Sequence, residues 1–218
     1  MYLPDLNRLL TPGAAFPDAS APDEGAEYVM ESRPAGDVVL PTGQVVGCDP
    51  LAFPEPEAYT VAVPPGTYPL RVWVAVLQQA GAEWDRHVAA LQLVVRDEPA
   101  VRWEPALVNG QDVSELEGDA FFGYPVDAGT GTLADAVAIT ALGDWDYDRV
   151  EAAFIPAQVP DAPVPGGVFP AVTDEATGAN VMVVTSGLGD GAYPTFIGYA
   201  ESGEVTSFVT DFLVLPGA

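Results

Sequence analysis

Along most of this chain, apolar and polar positions alternate in short runs and seldom recur at helical spacing, which predicts a protein built chiefly of strands. In "YPLRVWVAVL" (68–77), Val72, Val74 and Val76 alternate with Trp73, Ala75 and Leu77. Both faces are therefore apolar, as in a strand covered on both sides. "DVVL" and "QVVGC" flank "PTG", and "AYTVAV" and "YPLRVWVAVL" flank "PPGT", so turn chemistry predicts two hairpins. "HVAALQLVVR" (87–96) is a further strand, and "FFGYPVD", "NVMVVTS", "YPTFIGYA" and "EVTSFVTDFLVL" follow after residue 110. The last two join through Glu201, Ser202 and Gly203, a compact hairpin turn.

Helical periodicity is confined to "LADAVAITAL", which stops at Gly143, and to "DYDRVEAAF". The fold class that follows is α+β: a mainly antiparallel sheet or sandwich with one or two short helices packed on it. Residues 1–35 read as a partly ordered N-terminal arm, because "TPGAAFPDASAPDEGAEYVMESRPAG" (11–36) is rich in Pro, Ala and acid without periodicity. Residues 36–218 read as a single domain, with a change of texture near 108–118 where a division would fall. A Pro-rich connector, "PAQVPDAPVPGG" (156–167), precedes the closing strands.

Charge adds the strongest global signal. The chain carries 32 acids, seven arginines and no lysine, for a net of −25. Residues 1–109 hold 15 of the acids and six arginines, whereas residues 110–218 hold 17 acids and only Arg149. Such a field repels nucleic acid and anionic membrane and speeds encounter with a basic protein partner or with cations. No apolar run approaches the roughly 18 residues of a membrane span, and "MYLPDLNRLL" is no signal peptide, so a soluble cytoplasmic protein is expected. Cys48 is the sole cysteine and His87 the sole histidine, which leaves no zinc set and no catalytic triad.

Two glycine loops carry the remaining chemistry. In "YPVDAGTGTLADA", a strand runs into Asp127, Gly129 and Gly131 follow, and Asp135 precedes a helix. The outline is that of a phosphate loop, but a P-loop needs a lysine and a dinucleotide fold needs parallel βα units. Thr132 to Asp135 instead form [ST]-x-x-[DE], a capping box adjusted to aspartate, with Thr132 as N-cap. Asp127 is left to accept from loop amides as a built-in anion, or to hold a cation. The second loop, "SGLGDGAYP" (186–194), places Ser186, Asp190 and Tyr193 around three glycines. Ser186 lacks the glycine of a nucleophile elbow, because Val184 stands there. Asp144, Asp146 and Asp148 fail as an EF-hand loop, since Arg149 and Ile155 stand where glycine and glutamate are required, and read as helix N-terminal acids.

"LPTGQVVGCDPL", "VPPGTYPLRV", "FGYPVDAGTGTLADA", "NVMVVTSGLGDGAYPTFIGY" and "SGEVTSFVTDFLVL" occur in this order over residues 36–215. The set resembles an uncharacterised bacterial family, domain of unknown function 4241. The resemblance ties the two glycine loops into one design, the second of them leading to Asp211, and implies no reaction. Two functions follow as expectations. One is a binding protein, of immunity type, whose acidic C-terminal half meets a basic partner. The other is a divalent-cation site for Ca²⁺ or Mg²⁺, formed where Asp127 and Asp190 converge and used for binding or for hydrolysis, with Asp211 either a third ligand or, as its place within a strand favours, a structural hydrogen-bonding group. The second turns on whether the two loops fold side by side.

Overall fold

Two antiparallel sheets share one apolar interior, and short helices cover the second sheet from outside. The computed structural model describes residues 1–18, 25–52, 54, 57–155 and 162–215. Its strands are β1 (Ala15–Pro17), β2 (Glu27–Leu40), β3 (Val45–Cys48), β4 (Gly66–Gln79), β5 (Ala82–Val94), β6 (Arg102–Pro105), β7 (Gly123–Val126), β8 (Thr130–Asp135), β9 (Phe169–Asp174), β10 (Ala179–Thr185), β11 (Gly191–Tyr199) and β12 (Val205–Asp211). The helices are α1 (Leu6–Leu9), α2 (Ala136–Leu142) and α3 (Tyr147–Phe154). The larger sheet runs β1-β2-β4-β5-β12-β11-β6, with β7 pairing further along β11, and the smaller runs β3-β8-β10-β9. This is the α+β, antiparallel architecture that the patterning predicts. No helix among the described residues is long and apolar enough to cross a membrane.

Strand alternation builds the layers. Val45, Leu133, Met182 and Val184 join the core against the larger sheet, where Leu70, Val72, Val74, Leu91, Phe196 and Phe208 are buried. Their neighbours Val46, Ala134, Val181 and Val183 face the other way, onto Ala138, Ile139, Leu142 and Phe154 of α2 and α3. Strands β8 and β10 are thus covered on both faces, so their burial extends over nearly every residue. Burial of four or five such side chains at roughly 1.5–3 kcal/mol each is what holds the helices to the sheet.

Several local readings are corrected. "DVVL" and "QVVGC" do not form a hairpin: β2 pairs with β4, β3 pairs with β8, and the turn between them carries the chain from one sheet to the other. "AYTVAV" is not a strand, although Tyr59 and Val63 donate backbone bonds to Val45 and Gly43. Turn residues mark where a chain reverses; they do not specify which strand it then joins. Gly43, at φ +72°, is required at this crossing, because a Cβ there would stand 1.8 Å from the Val63 carbonyl oxygen. Residues 11–36, read as an arm, contain β1 and the start of β2, and the rest of that stretch, 19–24, lies outside the described residues. So does the first half of the Pro-rich connector, residues 156–161.

Helix α2 begins later than its periodicity suggests, because pairing with β3 holds the chain extended through Asp135. Asp135, and not Thr132, is its N-cap. The buried Asp135 carboxylate accepts from Val137 N at 2.9 Å, from Thr42 N and Gly43 N at 3.0 Å, and from Thr42 Oγ1 at 2.8 Å. One side chain therefore ties the helix start to the crossing between sheets. Thr132 lies within β8, its hydroxyl buried and without a hydrogen-bond partner. Asp146 caps α3 as the sequence suggests, accepting from Arg149 N at 2.9 Å.

Replacing Asp135 by Ala strands several buried donors, so Asp135→Ala is expected to lower stability by about 3–5 kcal/mol in urea denaturation. Thr132→Val, which removes only an unsatisfied hydroxyl, is expected to be neutral or slightly stabilising.

Candidate functional site

The glycine loops do fold side by side. Val126 faces Gly191 where β7 meets β11, and Thr130 faces Thr185 where β8 meets β10, so a ladder grips the loop pair on each side. Ser186 N donates to Gly129 O at 3.0 Å, and a Cβ on Gly129 would touch Gly189 Cα at 3.9 Å. Continuing the β7–β11 register by one step sets Asp127 opposite Asp190. Both are exposed. Like charges at facing positions repel, at a cost of a few tenths of a kcal/mol to about 1 kcal/mol.

The second loop is fastened from within. The buried Ser186 Oγ donates to Gly189 O at 2.9 Å, and Tyr193 Oη donates to the same carbonyl at 2.7 Å. Ser186 is a staple of the loop. Gly187, at φ +54°, lets the backbone pass the Phe212 carbonyl, which a Cβ would meet at 2.8 Å. At the crest, Leu188 is 71% exposed. Gly131 sits lower, in β8, where a Cβ would strike Phe212 and the Tyr124 hydroxyl at 2.9 Å. Burial raises the pKa of Tyr193 above the usual tyrosine value, with Ser186 opposing the shift and Asp190 adding to it.

The built-in anion of the first loop is Asp49, a residue that the sequence pattern does not single out. It is fully buried. Its carboxylate accepts from Asp127 N at 3.0 Å, Ala128 N at 2.7 Å, Thr130 Oγ1 and Leu51 N at 3.1 Å. The Asp127 main chain is therefore held from behind while its own carboxylate faces outward. The available signal was "CDP" at the end of β3, since an aspartate ahead of a proline favours an Asx turn.

Asp211 is not brought to these loops. Its neighbour Thr210 points between the sheets to share a 2.8 Å hydrogen bond with Thr195, so Asp211 faces the opposite side of β12. There Tyr2 Oη donates to Oδ2 at 2.8 Å and Leu213 N to Oδ1 at 2.9 Å. Burial raises its pKa, partly offset by those two bonds. Among the described residues, no group of three or more His, Cys, Asp or Glu side chains is placed to hold a metal ion. His87 pairs with Asp85 at 3.2 Å on the long β4–β5 hairpin.

A cavity of about 290 Å³ opens between β3, β7 and the end of β6. Tyr59, Phe122 and Tyr124 line it together with Glu57, Gln111 and Thr195. Tyr59 Oη donates to Thr195 Oγ1 at 2.8 Å, and burial raises the pKa of Tyr59 and, further, of Tyr124. The Tyr124 hydroxyl lies near Thr210 but outside hydrogen-bonding geometry. Burial, reinforced by Asp49, also raises the pKa of the Cys48 thiol far above the range in which it would ionise. The thiol therefore stays protonated and is no nucleophile at neutral pH.

A family model described as "Protein of unknown function (DUF4241)" matches residues 38–210, a span that includes Asp49, both glycine loops and every residue named around the cavity. No curated protein and no solved structure matches the chain.

Two stability measurements check these assignments. Asp49→Ala is expected to cost about 3 kcal/mol or more, whereas Asp127→Asn stays within about 0.5 kcal/mol of the parent, both by urea denaturation in EDTA. The second concerns Asp211. Its folded pKa lies above its unfolded value near 4, so the native state holds the proton more tightly, and stability from this group falls as pH rises through the folded pKa. Asp211→Asn keeps a bond to Leu213 N and lets the Tyr2 hydroxyl turn to accept. Its stability relative to the parent is therefore expected to improve as pH rises from about 4 towards 7 in a denaturation series.

Proposed function

Because the chain belongs to the DUF4241 family, a membership that brings no activity with it, we propose from the geometry that this is a binding protein. Its contact surface is the crest of the two glycine loops, and its partner is basic. The observation that carries this reading is the exposed Leu188 beside two exposed aspartates, Asp127 and Asp190, on a fastened loop pair. A fixed apolar knob loses little entropy on binding, which is the property of an interface anchor. An arginine or lysine set between Asp127 and Asp190 relieves their repulsion and gains two charge-assisted hydrogen bonds. The net charge of −25 favours encounter with such a partner. An immunity-type role, in which a soluble cytoplasmic protein masks a basic one, is the form of this reading that the charge favours.

The adjacency of the loops also supports a second reading, a Ca²⁺ or Mg²⁺ ion bridging Asp127 and Asp190, with water and loop carbonyls completing its shell. In that reading the ion either braces the loops or activates a bound water for hydrolysis.

The test is capture from lysate of the native host on the immobilised full chain. Wild type is expected to retain a basic protein that is released as salt rises from about 50 to 500 mM. The Leu188→Ser, Asp127→Asn, Asp190→Asn triple variant is expected to weaken capture by about tenfold or more while keeping the wild-type melting temperature. Capture that ignores salt, or that survives the triple change, overturns the first reading. A rise in melting temperature with millimolar Ca²⁺ or Mg²⁺ that Asp127→Asn abolishes establishes the second.

A further inference from the structure

Away from the loop crest, we infer that the cavity between β3 and β7 is a binding site for a small organic ammonium compound. Its lining carries the argument. Tyr59 on one stretch of the chain and Phe122 and Tyr124 on another supply aromatic surface, and Gly47, lacking a Cβ, lets two of these side chains pack beside it. A Cβ on Gly47 would stand 2.3 Å from the Tyr59 hydroxyl oxygen and 3.1 Å from the Tyr124 ring. Among the described residues the only charged side chain in the lining is Glu57, which is exposed. Gln111 adds an amide that also accepts from Val108 N at 3.1 Å.

Among the described residues no arginine or histidine lines the cavity, so a phosphate or carboxylate ligand would find no counter-charge there and would meet the repulsion of a strongly acidic chain. A purely apolar ligand would fill the space but leave Glu57 without a role. A cation with alkyl substituents uses both halves of the lining: its methyl or methylene groups lie on the aromatic rings, which attract positive charge, and Glu57 balances that charge at the mouth. The volume, about 290 Å³, sits at the small end of ligand cavities and suits a compound of choline's size.

Part of the polar lining is satisfied within the protein and needs no ligand. Tyr59 donates to Thr195, and Thr195 shares a hydrogen bond with Thr210, so these hydroxyls are already satisfied. The Tyr124 hydroxyl alone of the tyrosine and threonine hydroxyls named around the cavity lacks a partner and is free to meet a ligand's polar end, while selectivity for charge falls to ring electrostatics and to Glu57. This reading is independent of the loop crest and stands or falls without it.

The experiment is calorimetric titration of the full chain with choline and with its neutral isostere, in which carbon replaces the quaternary nitrogen. Aromatic-ring proton shifts, recorded alongside, locate the bound molecule. Choline is expected to bind about fivefold or more tightly than the isostere and to move the signals of Tyr59, Phe122 and Tyr124. Glu57→Gln, a change at an exposed position that leaves the fold intact, is expected to narrow the preference by at least half. Phe122→Leu, checked by its melting curve, is expected to weaken choline more than the isostere. Equal binding of the two compounds, no binding of either, or a choline preference with shifts confined to other aromatic residues overturns the inference.

Discussion

Two buried carboxylates sit at opposite ends of the β3–β8 pair, and the rest of the molecule is arranged around what they hold. Asp135 ends β8 and gathers donors from Thr42, Gly43 and Val137, and Asp49 follows β3 and gathers them from Leu51, Asp127, Ala128 and Thr130. Each strand thus ends in an acid that organises the loop leading into its neighbour. An unpaired carboxylate at such depth would be costly, whereas one that accepts several main-chain bonds is stable and specifies one geometry for them. The crossing between sheets, the start of α2 and the first glycine loop all inherit their shape from these two side chains.

The outward acids behave differently. Asp127 and Asp190 have their main chains fixed by others, Asp127 by Asp49 and Asp190 within the loop closed by Ser186 and Tyr193. Their carboxylates are left exposed to solvent. The contrast separates the acids that shape this protein from those available to a partner, although composition counts them alike.

Much of the architecture was legible along the chain, because alternation and turn residues act locally. Strands β10, β11 and β12, the Glu201–Gly203 turn and the capped helix α3 follow from nearest neighbours in sequence. Pairing partners do not. "PTG" and "PPGT" looked like hairpin turns, yet the first carries the chain between sheets, and that choice is made by Asp135, over ninety residues away. Thr132 had the residue type of an N-cap, but pairing with β3 kept it in a strand. The adjacency of the glycine loops could be posed as a question from sequence, and its geometry supplies the answer. Asp49 escaped notice because the donors it serves are distant, and the acid nearest to them, Asp127, drew the assignment. Asp211 was grouped with the loops as a cation ligand; its neighbour Phe212 does pack against Tyr193, but Asp211 itself points to Tyr2.

Coverage of β8 and β10 on both faces has a consequence for the fidelity of folding. A strand with one apolar face and one polar face fixes its own alignment, since slipping by one residue would expose its apolar set to water. A strand that is apolar on both sides gives no such signal, and a slipped pairing would bury almost as much. Here the polar residues at the strand ends supply the missing discrimination. A one-residue slip of β8 against β3 would carry Asp135 out of reach of Thr42 and Gly43 and leave Asp49 without the amides of 127 and 128, so misaligned sheets would be marked by unsatisfied charge instead of by exposed hydrocarbon.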